Sequence, residues 1–332
     1  NSTALICGRR DLPRVDEART GDGYTTLLGL ISHEYFHAWN VKRLRPADFA
    51  QYDYNRENYT ELLWFFEGFT SYYDDLLLRR AGLIDDAAYL KLITKTINQV
   101  LQTPGRAVQT VAQASFDAWV KYYRQDENTP NATVSYYTKG SLVALCLDLA
   151  LRREGKTSLD EVMRTLWLRC QGGPMSQDDL LAVFKELSGR TFDAELARWV
   201  HSTAELPLAE LLEANGVLLK AEPPQWAQRL GLRVGENHSV QIKTVLRGGP
   251  AEKAGMAAGD EWLGIDVKGQ GWRISKLEDV AFYAGTETSL TALVARDGRL
   301  LRLPLELSAR SASTPPKKTS RTTTATVLVE RF

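Results

Sequence analysis

The sequence predicts an α+β protein, in which a mainly helical region over residues 1–220 is followed by a small β-rich region over residues 224–307. Two patterns support this fold class. Before residue 203, apolar residues recur at three- and four-residue spacing in several segments, as they do on helices with one buried face. After Pro223, short runs of alternating hydrophobicity are separated by turns that contain glycine, which is typical of strands.

Composition and charge indicate a globular chain with no obvious polyanionic partner. Hydrophobic residues make up 44% and charged residues 25% of the 332 positions, which is ordinary for a folded domain. Because 41 Lys and Arg balance 41 Asp and Glu, no overall field favours nucleic acid or an anionic membrane. No apolar run approaches the roughly 20 residues of a membrane helix. We find no signal-peptide pattern, so the sequence does not separate a cytoplasmic from a periplasmic or secreted location.

The helical region is predicted to open with a strand in residues 1–10, whose apolar part is residues 3–7. The first helix is expected to start near Thr25, and a second helix to cover residues 59–81. Residues 103–136 are rich in aromatic residues, Asn and Pro, and predict an extended surface excursion. Further helices are predicted at residues 84–102, 141–154, 157–170, 176–188 and 191–202.

The β-rich region ends before a polar stretch. Residues 308–325 are rich in Ser, Thr, Lys and Pro, which predicts a flexible tail over residues 308–332. The alternating runs that precede this tail predict strands at residues 240–245, 261–267, 289–294 and 300–305.

The first predicted helix carries the segment His33-Glu34-Tyr35-Phe36-His37. Residues four apart lie on one side of a helix, about 5.4 Å along its axis, so both imidazoles can bind one ion at about 2.0 to 2.1 Å. Glu34, about 100° around the helix, would lie beside such an ion, where it can take a proton from water. The alternative is a pair of ordinary, partly buried histidines on an amphipathic helix.

A third ligand is expected on the second helix. Glu67 lies in the aromatic and apolar segment 64–69, where a lone carboxylate is costly to bury without a cation or a hydrogen-bond partner. Three protein ligands with an open fourth position characterise a catalytic zinc site. Asp74 lies seven residues further along the same face. It either accepts the outer N–H of a ligating histidine or is a solvated helix carboxylate.

Three segments together, HEYFHAWN at 33–40, EGFTSYY at 67–73 and SYYTKG at 135–140, resemble the glycyl aminopeptidase family, peptidase family M61. The resemblance covers roughly residues 1–307, because members of this family carry a PDZ domain after the catalytic region. It implies a thermolysin-like, or gluzincin, catalytic domain with one Zn²⁺ per chain. It also implies an aminopeptidase that favours small N-terminal residues such as Gly or Ala.

The resemblance also implies roles for individual residues. In related aminopeptidases, the tyrosine of a Tyr-x-Lys-Gly element hydrogen-bonds the tetrahedral intermediate. In this sequence that implies Tyr137, with Tyr136 as the alternative. A phenol aimed at the developing oxyanion stabilises charge that appears only in the transition state. With Glu34 as the general base, the implied catalytic residues are Glu34 and Tyr137. Candidates for the pocket wall are Trp39, Trp119 and Tyr122.

The β-rich region resembles a bacterial-type PDZ domain, through GGPAEKAGM at 248–256 and the glycine turn after it. Leu230, Gly231 and Leu232 stand where such a domain presents backbone N–H groups to a terminal carboxylate, which implies that an extended peptide binds at the sheet edge. The apolar chain end, residues 327–332, is one candidate for that peptide. Family members also have an N-terminal β-domain and a glycine-rich segment with a glutamate that, in relatives, binds the substrate amine. We expect both to be absent from this sequence.

The leading interpretation is zinc-dependent hydrolysis of a peptide or protein substrate, with His33, His37 and Glu67 as metal ligands. One alternative is a peptide-binding scaffold, in which the PDZ domain is the working part and the metal site is structural or vacant. Another is an endopeptidase that recruits chains through the PDZ domain, because amine recognition depends on the segment that is absent here. None of these interpretations includes nucleic acid or a membrane span.

Overall fold

The computed structural model of the protein describes residues 2–13, 21–307 and 326–331. Over these residues the fold is α+β, as predicted, and no helix in them combines the length and apolarity needed to cross a membrane. The helices are α1 (Asp22–Phe36), α2 (Leu63–Phe66), α3 (Gly68–Arg80), α4 (Asp86–Leu101), α5 (Val111–Phe116), α6 (Thr129–Ala132), α7 (Thr138–Glu154), α8 (Leu159–Arg169), α9 (Gln177–Ser188), α10 (Asp193–Trp199), α11 (Leu208–Glu213), α12 (Trp226–Leu230), α13 (Pro250–Lys253) and α14 (Leu277–Ala284). The strands are β1 (Arg45–Pro46), β2 (Pro174–Met175), β3 (Val217–Glu222), β4 (Leu232–Glu236), β5 (Val240–Val245), β6 (Glu261–Val267), β7 (Gln270–Arg273), β8 (Ser289–Arg296), β9 (Arg299–Glu306) and β10 (Thr326–Arg331).

Packed helices enclose the larger hydrophobic core. Helix α7 is buried along most of its length and packs against α3, α4, α8 and α11, so it lies at the centre of this region. Fully burying a large apolar side chain stabilises the fold by about 1.5–3 kcal/mol. The aromatic side chains of α2 and α3 therefore anchor the segment around Glu67 in the core. The fully buried aromatic residues of this core include Trp64, Phe65, Phe66, Phe69, Phe184 and Phe192.

Local signals set the ends of the helices. The side chains of Asp85 and Ser176 accept backbone N–H groups at the starts of α4 and α9. Gly155 and Gly189 follow α7 and α9 in the left-handed conformation that favours glycine. The predicted helices at 84–102, 141–154, 157–170, 176–188 and 191–202 are confirmed as α4, α7, α8, α9 and α10.

The second predicted helix, residues 59–81, is shorter and divided in the structure. It begins at Leu63, and Glu67 interrupts it between α2 and α3. Asn58 does not cap it, because the amide of Asn58 donates to and accepts from the backbone of Asp53 in the preceding turn. The interruption places Glu67 at a joint between two helices rather than inside one.

Two other predictions for the helical region are wrong. Residues 2–8 form no strand, because no described strand lies beside them to pair with their backbone, and Ile6 is 94% exposed. Residues 103–136 are not an extended surface excursion, since they fold into α5, α6 and a π-helical turn at Ala118–Tyr122. A capping box at Thr110 opens α5, and most of its side chains are buried in the core.

The β-rich region is an antiparallel sheet with a core of its own. The strand order is β4-β5-β6-β8-β9, and β7 pairs with β6. The four strands predicted from sequence are confirmed as β5, β6, β8 and β9. Their inward-facing residues pack with Trp262, Leu277 and Val280 in a cluster that is separate from the helical core. Asn131, on α6, links the two regions, because its side-chain amide donates to the Val245 carbonyl at 2.8 Å.

The end of the chain returns to the helical region. Strand β10 pairs antiparallel with β3, and Val327 and Val329 are buried where β10 packs on α4. The amide of Asn98 donates to the Val327 carbonyl and accepts from its N–H, both at 2.8 Å. The flexible tail predicted for residues 308–332 is therefore wrong at β10, while residues 308–325 lie outside the described residues. The chain end pairs with β3 and not with β4, so the idea that it occupies its own PDZ groove is also wrong.

Candidate metal centre

Three side chains from two segments of the chain converge on one point. His33 and His37 lie one turn apart at the C-terminal end of α1, and Glu67 lies at the joint between α2 and α3. Glu67 Oε2 is 3.3 Å from His33 Nε2 and 3.2 Å from His37 Nε2. One potential ligand atom from each residue lies within 4.8 Å of the other two, so the group could hold a metal ion. The structure brings together the three residues that the sequence predicts as ligands.

The outer nitrogen of each imidazole is already bound to an acceptor. His33 Nδ1 donates to Asp74 Oδ2 at 3.0 Å, and His37 Nδ1 donates to the Asn40 carbonyl at 2.9 Å. The Asn40 carbonyl only accepts, so His37 Nδ1 carries hydrogen. Burial raises the pKa of Asp74, and His33 Nδ1 carries hydrogen when Asp74 is ionised. In the neutral rings, each Nε2 then presents a lone pair to Glu67 Oε2. Facing lone pairs repel each other, so either a proton or a metal ion between them is stabilising, and two imidazoles with one carboxylate fit Zn²⁺.

The pKa values of these groups reflect the same need for positive charge. Burial alone would lower the pKa of His33, but hydrogen bonds to Asp74 and Glu67 outweigh it and raise this pKa to about 9. Burial alone would raise the pKa of Glu67, but hydrogen bonds with His33 and His37 lower it to about 2. In the metal-free protein, a proton on His33 thus takes the place of the cation. A metal ion that binds below pH about 9 must displace that proton.

A pair of adjacent carboxylates lies behind His33. Asp74, which orients His33, is itself held by α1, because the Ser32 hydroxyl donates to the Asp74 carbonyl at 2.9 Å. Burial, followed by the neighbouring charge of Asp74, raises the pKa of Asp75 to about 7. Sequence reasoning proposed Asp74 as a partner of a ligating histidine but missed Asp75. No pattern in the sequence distinguishes Asp75 from a solvated carboxylate on a helix.

Two glycines in close contact position Glu67. A Cβ atom added to Gly68, which opens α3, would lie 2.5 Å from the carbonyl carbon of Gly140 in the first turn of α7. A Cβ added to Gly140 would lie 2.7 Å from the Trp64 carbonyl oxygen. The two backbones can approach only because both residues lack a Cβ. This contact holds the segment of Glu67 against the segment that carries Tyr137.

Substitution of Gly140 by alanine is expected to destabilise the protein and to weaken metal binding. The new Cβ forces α7 away from Gly68, and overpacking of this kind costs about 1–3 kcal/mol. Thermal unfolding measures the stability, and zinc titration reports any displacement of Glu67. Gly271→Ala, in β7, is the matched control, because a Cβ at this exposed position would have no atom within 4 Å. Equal stability of the two variants would contradict the role of the close contact.

Asn40 ties the two ligand-bearing segments together. Its carbonyl orients His37, and its side-chain amide donates to the Phe66 carbonyl at 3.3 Å and to Thr70 Oγ1 at 3.2 Å. Asn40 is 1% exposed. A movement of α3 relative to α1 would therefore break buried hydrogen bonds, which is costly. Sequence reasoning missed this role, because the partners of Asn40 are distant along the chain.

A cavity of about 1220 Å³, which we call the metal-centre cavity, opens onto the three candidate ligands. Glu34 lines this cavity without being one of the ligands, which is where a residue that takes a proton from water must lie. The ring centroids of Tyr137 and His33 are 6.2 Å apart, whereas Tyr136 is 1% exposed in the core. Of the two tyrosines considered from the sequence, the structure places Tyr137 in the cavity wall.

The other aromatic candidates for the cavity wall differ in position. Trp39 lines the metal-centre cavity, but Trp119 and Tyr122 do not. Trp119 Nε1 instead donates to the Asn58 carbonyl at 3.1 Å, and the Tyr122 ring packs on Tyr137. Burial, followed by the charge of Glu67, raises the pKa of the Tyr137 hydroxyl. Tyr137 therefore keeps its proton near neutral pH and can act as a hydrogen-bond donor.

The predicted carboxylate-binding loop lies at the end of α12. Gly231 follows α12 with a φ of +71°, and Leu230 and Leu232 on either side are buried. The Gly231 N–H donates to the Gln228 carbonyl at 3.2 Å, so this amide is already used in the present conformation. The following strand, β4, pairs only with β5 among the described strands, which leaves its other edge without a strand partner.

Comparisons with known proteins place this geometry in context. Residues 26–143, which include the candidate ligands and Tyr137, match the family model described as M61 glycyl aminopeptidase. The chain is also similar to the crystal structure of an aminopeptidase N family protein from Idiomarina loihiensis, with a TM-score of 0.89 and 32% sequence identity. That similarity covers 100% of this chain and 57% of the other. A comparison with curated proteins gave no match.

Over residues 26–143, which carry the clustered ligands, the chain is similar to the M61 glycyl aminopeptidases. The resemblance predicted from the three sequence motifs is confirmed over that segment. The chain spans a little over half the length of the similar structure, at 57%.

Proposed function

We propose that the chain is a zinc-dependent peptide hydrolase. The observation that carries this proposal is the convergence of His33, His37 and Glu67, whose potential ligand atoms lie within 4.8 Å of one another. Three protein ligands leave a fourth position open, as in catalytic rather than structural zinc sites. The metal-centre cavity gives a peptide room to reach that position. The match to a peptidase family model supports the proposal.

Each residue of the centre has a defined task in this mechanism. Bound zinc would supply Lewis-acid chemistry, which polarises a scissile carbonyl and makes water acidic near neutral pH. Glu34 accepts a proton from the attacking water and delivers it to the leaving amine. The Tyr137 hydroxyl donates a hydrogen bond to the carbonyl oxygen as negative charge develops there. Asp74 and Asn40 hold the two imidazoles in the tautomer that directs Nε2 toward the metal.

The proposal also covers the division into domains and the class of substrate. We assign a thermolysin-like, gluzincin-type catalytic domain to residues 1–220 and a PDZ domain to residues 224–307, and the two separate hydrophobic cores support this division. The description of the matched family as a glycyl aminopeptidase favours peptides with a small N-terminal residue, Gly or Ala. An endopeptidase would use the same centre, so only the choice of substrate separates the two activities.

A second candidate function is peptide binding by the β-rich region. The unpaired edge of β4 favours it, because an extended peptide can add to such an edge as a further strand. The Glu236 side chain at the end of β4 accepts the Leu277 N–H at 2.8 Å, which fixes this edge beside α14. A peptide C-terminus would enter between β4 and α14. Binding of such a peptide to zinc-stripped protein would support this function independently of hydrolysis.

Zinc removal tests the proposed hydrolase. The purified chain is expected to hold one Zn²⁺, and a chelator is expected to abolish hydrolysis of Gly- and Ala-arylamides until zinc is added back. Activity on these amides alone indicates an aminopeptidase, whereas cleavage of an N-terminally blocked peptide indicates an endopeptidase. If the zinc-loaded protein cleaves neither substrate, the hydrolase is contradicted and the peptide-binding scaffold is favoured.

Replacement of Tyr137 by phenylalanine is expected to lower kcat with little change in KM. The hydroxyl acts on charge that is present only in the transition state, and loss of one such donor lowers kcat by about 10²–10³. Steady-state kinetics on an Ala-arylamide measures the effect. Tyr136→Phe is the matched control, because that neighbouring ring is buried in the core. A fall in kcat for Tyr136→Phe as large as that for Tyr137→Phe would contradict the assignment.

A further inference from the structure

A second concave site lies beside the metal-centre cavity. We call it the α1–α8 groove, because its walls come from the end of α1, from the turn that follows, and from α8. Its volume is about 550 Å³, and pockets for small ligands span roughly 300–1,000 Å³. Apart from Asn40 and Arg164, the walls are apolar, and they consist of Phe36, Trp39, Leu44, Met163, Trp167 and Leu168.

The α1–α8 groove adjoins the metal-centre cavity. Trp39 and Trp167 line both of them. Phe36, in the wall of the groove, directly precedes the candidate ligand His37 in the chain. A peptide with its scissile bond at the metal centre therefore lies next to the two shared tryptophans. The groove is therefore the nearest apolar recess on this side of the metal centre that a neighbouring side chain of the peptide would meet.

One buried polar atom in the groove wall has no partner. The amide nitrogen of Asn40 is held by the Phe66 carbonyl and by Thr70, which fixes the orientation of the amide. Its Oδ1 is buried and accepts no hydrogen bond within the described part of the chain. Less than 1 Å² of this oxygen is exposed, so the surface that the groove offers to a ligand comes from the apolar side chains.

The charge and the size of the α1–α8 groove limit the kind of substrate side chain that it can bind. Arg164 pairs with Glu161 on the same helix, so the groove offers no uncompensated cation to an acidic ligand. The gain from apolar burial grows with the area removed from water, so a large apolar side chain binds better than a small one. Tryptophan has the largest of the apolar side chains and carries no charge, so it removes the most apolar area from water in this groove.

We propose that the α1–α8 groove is a specificity site for a large apolar side chain of the substrate, with tryptophan favoured, at a position next to the scissile bond. This inference rests on the proposed function, because it takes a peptide at the metal centre as the ligand. It adds a second requirement on the substrate, beyond the preference for a small N-terminal residue. The groove selects a neighbouring residue, while the metal centre acts on the bond.

A charge placed at the rim of the groove tests the proposal. Leu168 is 74% exposed, so Leu168→Glu should fold, and Leu83→Glu is the matched control at a 54% exposed leucine outside the groove. The substrates are peptides with one scissile glycine and with Trp, Leu or Ser placed on either side of it in turn. At the selected position, Trp is expected to exceed Ser in kcat/KM by about tenfold to a hundredfold. Leu168→Glu is expected to bring the Trp-to-Ser ratio of kcat/KM close to one, whereas Leu83→Glu is expected to leave this ratio unchanged.

Binding measurements separate this inference from the proposed activity. In zinc-loaded Glu34→Gln protein, calorimetry compares the affinities of the same Trp and Ser peptides, with and without Leu168→Glu. A preference for Trp of about tenfold that Leu168→Glu removes supports the groove even if the parent protein hydrolyses nothing. If Trp and Ser peptides bind equally, or if Leu168→Glu leaves the preference intact, the groove is not a specificity site, whatever the hydrolytic activity.

Discussion

Replacement of Glu34 by glutamine is expected to lower kcat for peptide hydrolysis by about 10²–10⁴ while one Zn²⁺ stays bound. The side chain of Glu34 lines the metal-centre cavity but supplies none of the three converging ligand atoms. Glutamine keeps its size and polarity, yet an amide does not accept the proton of the attacking water. The loss should therefore appear in kcat and leave metal content unchanged. Turnover of Gly- and Ala-arylamides and zinc stoichiometry are the two measurements.

The matched control for this substitution is Glu57→Gln, which makes the same chemical change at an exposed position outside the cavity. It should retain parental kcat and parental zinc. Full activity of Glu34→Gln would show that another group moves the proton. Loss of zinc from Glu34→Gln would show instead that this carboxylate helps to hold the metal, and either result would overturn the assignment of Glu34 as the general base.

The part of the metal centre that follows from local geometry could be predicted from the sequence. Helical spacing alone places His33 and His37 on one side of α1, since residues four apart lie one turn from each other. Glu67 could be predicted because a carboxylate in an aromatic segment needs a cation or a donor when buried. The break in the helix at Glu67 could not. It lies beside the close contact between Gly68 and Gly140, which forms only when α3 packs against α7.

Features that depend on contacts between distant residues could not be predicted from the sequence for the same reason. The supporting role of Asn40 depends on the Phe66 carbonyl, which only the packing of α1 against α3 brings near. Residues 3–7 have a strand-like pattern but no strand to pair with in the described chain. Strand β10 shows the opposite case, because its alternating valines become a strand only when β3 and α4 supply an edge and a surface. Periodicity indicates which face is apolar, but not what will cover it.

Removal of one imidazole is also expected to have a large effect. The protein should lose zinc, and it should lose hydrolytic activity as a consequence. His37 contributes one of the three potential ligand atoms, and the Asn40 carbonyl fixes its Nδ1, so the ring is already oriented for this task. Structural zinc sites with four ligands bind with about 10–16 kcal/mol, so one ligand accounts for roughly 3 kcal/mol, or about a hundredfold in affinity. His37→Ala is therefore expected to weaken zinc binding by at least about that factor.

The measurement for His37→Ala is competition against a chelator of known zinc affinity, followed by the arylamide assay at saturating zinc. His238→Ala is the matched control, because this histidine is exposed on the β-rich region, and its affinity should equal that of the parent. If His37→Ala retained parental zinc affinity, the ion would be held elsewhere, and the convergence of two imidazoles on Glu67 would be a hydrogen-bonded cluster. If zinc were lost but hydrolysis continued, the metal would have no part in the reaction.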